Sequence, residues 1–274
     1  MGFLKMSNKR IIYILCPGHS GSTLMEYYLS TYNKSIGIGE AYKAIRNFQN
    51  REIDKLSDYD QSMIETNPFW KEIHSRTGNF NSIEEQYVDM YHYILESEKF
   101  SDYQTIIDSS KTIDGLKILS KEFKDNLNVV IIYKDLRSWI ISQIDNNRRK
   151  NRKMSLGYKY KSVLRWWRTY FFYHKRLKEL GINYIDVSYD LFCLDQTKME
   201  LYLKENLDLE GKPDFQNTNS INILGNRMKK EANSGLKISY DYRWMHRSEW
   251  NFMWLLVPSK IKKMNRDKVW NIDH

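Results

Sequence analysis

Four short apolar runs constrain this chain more than any other feature: Arg10 to Cys16, Thr105 to Ile107, Asn128 to Tyr133 and Ile182 to Val187. Arg10 to Cys16 and Asn128 to Tyr133 are too short for a stable helix and too continuously apolar for a loop, so they read as buried strands, while Thr105 to Ile107 and Ile182 to Val187 read as further short strands. The segments between them carry apolar residues at helical spacing. Leu24, Tyr28 and Leu29 do so within Ser22 to Tyr32, and Ile83, Tyr87, Met90, Tyr91 and Ile94 within Ile83 to Glu98. Further helices are predicted through Leu116 and Leu119, over Leu136 to Asp145, and over the aromatic-rich stretch Lys159 to Leu180. Strands alternating with helices predict an α/β fold with a central parallel sheet flanked by helices. Nothing at mid-chain reads as a linker, so residues 1–274 are expected to form a single domain. Residues 41–80 hold short helical patterns with a loop-like Thr66-Asn67-Pro68, and Ile36-Gly37-Ile38-Gly39 reads as a glycine-rich turn. Beyond Asp195 the pattern is helix and loop, with a helical C-terminal segment over 230–274.

Lys and Arg total 43 against 34 acidic residues, a net charge of +9 that favours anionic partners. The charge alone does not choose among nucleic acid, an acidic membrane and a phosphorylated nucleotide. Arg148 to Lys153 (RRKNRK) reads as a solvated stretch after a helix, drawing anions from a distance. The two cysteines, Cys16 and Cys193, read as reduced core thiols, and no spacing suggests a metal site. No stretch is long enough for a membrane span, and the N-terminal apolar run is too short for a signal peptide. A soluble, cytoplasmic protein is expected.

The loop after the first strand, Cys16-Pro17-Gly18-His19-Ser20-Gly21-Ser22-Thr23, has the makings of a phosphate cradle. Small residues let backbone N–H groups approach an anion, the following helix adds partial positive charge, and Ser22 and Thr23 add hydroxyl donors. It is no Walker A loop: the glycine spacing is too short and the lysine is absent. A magnesium-dependent kinase or nucleotide hydrolase is therefore disfavoured.

Gly18 to Leu24 resembles the 5′-phosphosulfate loop of the sulfotransferase family, P-[RK]-S-G-[ST]-T-L, with Gly18 in place of the proline and His19 in place of the basic residue. Val129 to Ser142 resembles the family's 3′-phosphate segment, with Lys134 at the usual arginine and Ser142 on the following helix. Lysine keeps the charge and loses the bidentate fork, and Arg137 is a candidate to compensate. Asp108-Ser109-Ser110-Lys111 is similar to the D-S-S-K segment of bacterial members. Ser188-Tyr189-Asp190-Leu191 is similar to the Y-E-D-L motif, and Leu224 to Lys229 to the late loop that closes over the nucleotide. The matches span residues 16–229 in the family's order.

The resemblance implies a P-loop-like sulfotransferase fold with a nucleotide-binding core over about 10–229. It implies 3′-phosphoadenosine 5′-phosphosulfate as donor, adenosine 3′,5′-bisphosphate as product, no metal, and a small-molecule acceptor, with no nucleic-acid or membrane partner. Gly18, His19, Ser20, Gly21, Ser22, Thr23, Lys134, Ser142, Tyr189, Asn226, Arg227 and Lys229 would bind the nucleotide. Glu40 is the leading candidate base, His19 the candidate cation at the departing phosphate, and Lys111 and Ser110 the alternative proton handlers. A nucleotide kinase or hydrolase and a non-enzymatic nucleic-acid-binding protein remain the competing readings. The acceptor and the oligomeric state stay open.

Overall fold

The computed structural model describes residues 9–224, 238–247 and 254–271, and structural statements refer to these. Six strands, β1 (Arg10–Leu15), β2 (Ser35–Gly39), β3 (Thr105–Asp108), β4 (Leu127–Tyr133), β5 (Tyr184–Ser188) and β6 (Ser220–Ile223), form one parallel sheet in the order β5-β4-β1-β3-β2-β6. Helices flank it, so the α/β class expected from the alternating pattern holds. Among the described residues no helix is long and apolar enough to cross a membrane. The chain falls into two compact units, the first built from 9–15, 23–129 and 210–224, the second from 16–22, 130–209, 238–247 and 254–271.

In the first unit β1, β3, β2 and β6 pair in parallel register, with Ile12 opposite Ile107, Ile36 opposite Ile106 and Gly39 opposite Ile223. Ile11, Ile12, Ile14, Ile38, Ile106 and Ile107 are wholly buried, as runs covered on both faces must be. Around them lie α1 (Ser22–Ser30), α2 (Ala41–Gln49), α3 (Asp58–Thr66), α4 (Pro68–Ser75), α5 (Ile83–Glu96) and α6 (Ile113–Glu122). Thr66-Asn67-Pro68 is the junction of two helices. Asn67 accepts from the amides of Phe69 and Trp70 at 3.0 and 3.2 Å, and Pro68 occupies the first helical position. That cap delivers Trp70 into the core, where its indole donates to the Ile221 carbonyl at 2.5 Å.

The glycine-rich stretch over Ile36 to Gly39 is a strand, not a turn. Glycine is depleted in strands, which is why the sequence misleads here. Crowding demands it: a Cβ on Gly37 would meet the Glu26 carboxylate at 2.9 Å, and one on Gly39 would meet the Ile223 carbonyl at 2.3 Å. Gly39 also sits at φ 75°, where the register of β2 shifts against both neighbours.

The second unit contains the end of β4, β5, α7 (Leu136–Arg149), α8 (Leu156–Leu180), α9 (Tyr189–Leu194), α10 (Gln196–Leu207) and α11 (Ser259–Asn265). The buried aromatics of α8 bond the end of β4. Tyr170 donates to the Ile132 carbonyl at 2.7 Å, Trp166 to the Lys134 carbonyl at 3.3 Å, and the Tyr133 and Tyr170 rings stack at 4.3 Å. Of the expected helical C-terminal segment, α11 and the turn Arg266–Trp270 are helical, while Arg243–His246 is a single 3₁₀ turn. Arg148 to Lys153 closes α7 and runs on as exposed chain.

Gly39→Ala should lower stability by about 2–4 kcal/mol in urea unfolding, from its left-handed φ plus the clash with β6. Gly157→Ala, at a helical position with nothing within 4 Å of an added Cβ, should be neutral or slightly stabilising.

Candidate functional site

In the second unit the loop after β1 holds His19 at φ 71° and Gly21 at φ 97°. Alternation of left- and right-handed residues is what builds an anion-binding nest, and two positions of this loop are at positive φ. Gly18 is exposed and its carbonyl accepts from Trp139 Nε1 at 2.9 Å and Gln143 Nε2 at 3.0 Å, so two residues of α7 grip the loop. His19 is half-buried, and Ser20 and Ser22 are buried. Gly21 needs its missing side chain, since a Cβ there would lie 2.2 Å from the Tyr189 ring. Thr23, the next residue of α1 and the first of that helix in the other unit, is buried as well.

Lys134 lies just beyond β4 and is 4% exposed. Its Nζ donates to Ser142 Oγ at 3.2 Å and stands 4.7 Å over the Tyr189 ring. The turn that folds Lys134 back against α7 is fixed by Asp135. This buried N-cap accepts from the Arg137 amide and guanidinium, Asn265 Nδ2 and Trp270 Nε1, at 2.7 to 3.0 Å. Burial pushes the Asp135 carboxyl up, but the bonds and charge of Arg137 outweigh it and hold it below the usual range. Arg137 is thereby committed: it pairs with Asp135 and stacks over Trp244 at 3.8 Å. Arg137, the candidate to compensate for the lost fork, is thus engaged by Asp135 and Trp244. Asp190, after Tyr189, accepts from the Asp135 amide at 2.7 Å. Burial, and then the nearby Asp135 charge, push its carboxyl up to about 7.

Two residues that sequence reasoning missed complete this cluster. Asp241 Oδ2 lies 2.9 Å from Lys134 Nζ, and Arg243 clasps the same carboxylate through Nε and Nη2, both at 2.7 Å. Burial raises the Asp241 carboxyl, yet Arg243 and Lys134 together hold it well below the usual carboxylate range. Two cations and the Ser142 hydroxyl thus converge on one carboxylate. Asn226, Arg227 and Lys229 lie outside the described residues.

In the first unit the structure brings Glu40 and Lys111 together. Lys111 Nζ donates to Glu40 Oε1 at 2.7 Å, and Lys43 Nζ is 3.6 Å from Oε2. Glu40 occupies the N-cap position of α2, but its side chain caps nothing. Ser110 does that work: its Oγ accepts from the Tyr42 amide at 2.9 Å. Lys111 is held at φ 63° by a turn pinned on Asp108. That buried carboxylate accepts from the Ser110 amide at 2.7 Å and from the hydroxyls of Tyr87 and Tyr91 at 2.5 and 2.7 Å. Burial pushes the Asp108 carboxyl up, and these hydrogen bonds pull it part of the way back.

Beneath the pair is Glu26, wholly buried on α1. Oε1 accepts from the Gly39 amide at 2.7 Å, and Oε2 from Ser109 Oγ at 2.5 Å and Asn222 Nδ2 at 2.9 Å. Burial pushes its carboxyl up to about 8, against the pull of the Ser109 and Gly39 bonds. Between the ordinary carboxyl value and about 8 the folded chain keeps a proton that the unfolded chain has released. Stability therefore falls as pH rises through that window. Urea unfolding at about pH 5.5 and pH 8.5 should show this fall, and in Glu26→Gln it should be smaller by on the order of 3 kcal/mol. Parallel pH profiles in the two proteins would exclude Glu26 as the source.

The fold has a solved counterpart. The structure described as the sulfotransferase domain from the curacin biosynthetic pathway aligns with a TM-score of 0.53, at 14% identity, over 93% of this chain and 96% of that one. No protein-family model matches the sequence, and no curated protein matches it. What the chain shares with that domain is a sulfotransferase fold.

Proposed function

We propose that the chain is a sulfotransferase that moves the sulfuryl group of 3′-phosphoadenosine 5′-phosphosulfate to a hydroxyl or amine of a small-molecule acceptor. The observation that carries this reading is the pairing of Lys134 and Ser142, 3.2 Å apart and largely buried, at a place where an anion already sits. The fold likeness to a sulfotransferase domain supports it. In this reading Lys134 and Ser142 hold the 3′-phosphate, and the loop from Gly18 to Thr23 holds the 5′-phosphate through its N–H groups. Tyr189, packed on Gly21, forms a wall of the nucleotide site. Asn226, Arg227 and Lys229 are assigned to the same nucleotide by the sequence resemblance alone.

The chemistry asks for a proton acceptor and a cation. An oxygen or nitrogen of the acceptor bonds to sulfur, the bond from sulfur to the bridging phosphate oxygen breaks, and adenosine 3′,5′-bisphosphate leaves with that electron pair. Glu40 takes the acceptor's proton. Its Oε1 is held by Lys111, which leaves Oε2 to accept. His19 steadies the charge that grows on the departing phosphate.

Adenosine 3′,5′-bisphosphate should raise the melting temperature more than 5′-AMP or ATP does. Lys134→Ala should weaken the bisphosphate by about 1.5–3 kcal/mol and leave 5′-AMP almost unchanged. Equal shifts for the three nucleotides in the wild type would overturn the donor assignment.

Glu40→Gln should leave bisphosphate binding intact and lower turnover of an accepted alcohol by roughly 10²–10⁴-fold. Turnover is read by mass detection of the added sulfonate. A Glu40→Gln enzyme within a few-fold of wild type, beside an inactive Lys111→Ala, would move the base role away from Glu40.

A further inference from the structure

Lys134 presents a physical problem in the absence of a nucleotide. An ammonium that is 4% exposed cannot stay unpaired without a large desolvation cost. Asp241 solves it from within the chain. Its Oδ2 meets Lys134 Nζ at 2.9 Å, Arg243 Nη2 at 2.7 Å and Ser142 Oγ at 3.4 Å, while Oδ1 meets Arg243 Nε at 2.7 Å. Two cations and a hydroxyl converge on one carboxylate, which is the donor set a phosphate would take.

We propose that Asp241 is the resident occupant of the 3′-phosphate position, which a nucleotide must displace, and that Asp241 and Arg243 thereby set how strongly the chain discriminates a 3′-phosphorylated nucleotide. The inference rests on the assignment of Lys134 and Ser142 given above. A phosphate dianion and a carboxylate cannot share the same donors at hydrogen-bond distance without strong repulsion. Exchange is therefore required, and the two competing anions differ in charge. A phosphate brings more charge and more acceptor oxygens than the carboxylate it replaces. A nucleotide lacking the 3′-phosphate brings nothing that displaces Asp241, so the lysine and the serine stay closed to it.

Arg243 is built to remain when Asp241 leaves. Its Nη1 donates to Asp145 Oδ2 on α7 at 2.7 Å, and Arg247 holds the other oxygen of Asp145 at 3.2 Å. Its Nη2 already lies 3.3 Å from Ser142 Oγ. Asp145 thus moors the guanidinium to the helix that carries Ser142. Departure of the carboxylate would leave Lys134, Ser142 and Arg243 facing the incoming phosphate together. The apparent affinity for the bisphosphate is then its intrinsic affinity reduced by the fraction of molecules whose pocket is open.

The test is calorimetric titration and thermal shift of wild type, Asp241→Asn, Asp241→Ser and Arg243→Ala with adenosine 3′,5′-bisphosphate, 5′-AMP and inorganic sulfate. Both Asp241 variants should bind the bisphosphate about tenfold or more tightly than wild type, with 5′-AMP changed by less than about twofold. Sulfate should stabilise them more than it stabilises wild type, and Arg243→Ala should weaken the bisphosphate. If the Asp241 variants bind the bisphosphate and sulfate no better than wild type, or worse, the carboxylate positions the two cations and the occupant proposal falls. If sulfate tightens in the variants while no protein prefers the bisphosphate over 5′-AMP, the resident-anion assignment stands and the donor reading fails instead. Using two Asp241 variants and a melting readout keeps the test decisive where one substitution folds poorly.

Discussion

A carboxyl group taken out of water must find hydrogen-bond partners, and at Glu26 that demand shapes the carboxyl ends of three strands. Its two oxygens collect the Gly39 amide of β2, the Ser109 hydroxyl just after β3 and the Asn222 amide of β6. Space for the carboxylate exists because Gly37 carries no side chain: a Cβ there would come within 2.9 Å of it. The residues next along the chain inherit that geometry. Glu40 comes directly after Gly39, and Lys111 comes two residues after Ser109, so fixing the strand ends brings an acid and a base to 2.7 Å. Asp108 then sets the last detail, turning Lys111 to φ 63° with the help of two buried tyrosines. A left-handed lysine is costly and persists only where its surroundings over-determine it.

The second unit solves a similar problem with Asp135. This carboxylate is fully buried, yet it is satisfied by the neighbouring Arg137 and by Asn265 and Trp270 from one distant stretch of chain. Asn265 works both ways, accepting from the Leu136 amide at 2.7 Å while donating to Asp135. The outcome is a rigid corner between β4 and α7. Lys134 stands on one side of that corner and Ser142 two turns into the helix, and their meeting at 3.2 Å depends on it. The α8 aromatics reinforce the corner by binding the last carbonyls of the strand.

Much of this was legible in the sequence, for reasons that also mark its limit. β1, β3 and β4 announce themselves because strands buried on both faces must be continuously apolar; β5, part-exposed at the sheet edge, was legible as a short run between helical patterns. The spacing of Lys134 and Ser142 is a local signal, a strand end followed by helical geometry, and local signals survive in one dimension. β2 and β6 were invisible because packing, not propensity, wrote them. One carries two glycines in five residues, and the other, Ser220 to Ile223, is short and half polar. Glu26 looks like any polar residue on a helix until its long-range neighbours are known. Asp241 and Arg243 reach Lys134 and Ser142 from about a hundred residues away, and no spacing rule connects them. Tyr87 and Tyr91 were legible as one apolar helix face, but nothing in their periodicity pointed their hydroxyls at Asp108.

The same geometry bears on the three candidate proton handlers, among which the sequence put Glu40 first. A group that takes a proton needs a lone pair that is not already committed. The Ser110 hydroxyl accepts the Tyr42 amide and so anchors the first turn of α2, leaving it poorly placed to act as a base. An ammonium has no lone pair, and Lys111 Nζ donates to Glu40 at 2.7 Å; to act as base it would first have to give up its proton. Glu40 differs in kind. It is a carboxylate with one oxygen committed to Lys111 and the second facing only the longer contact with Lys43 at 3.6 Å. The ion pair with Lys111 holds one carboxylate oxygen of Glu40 and so orients the other. The left-handed backbone of Lys111 is in turn set by Asp108, which accepts from the Ser110 amide and the two tyrosines.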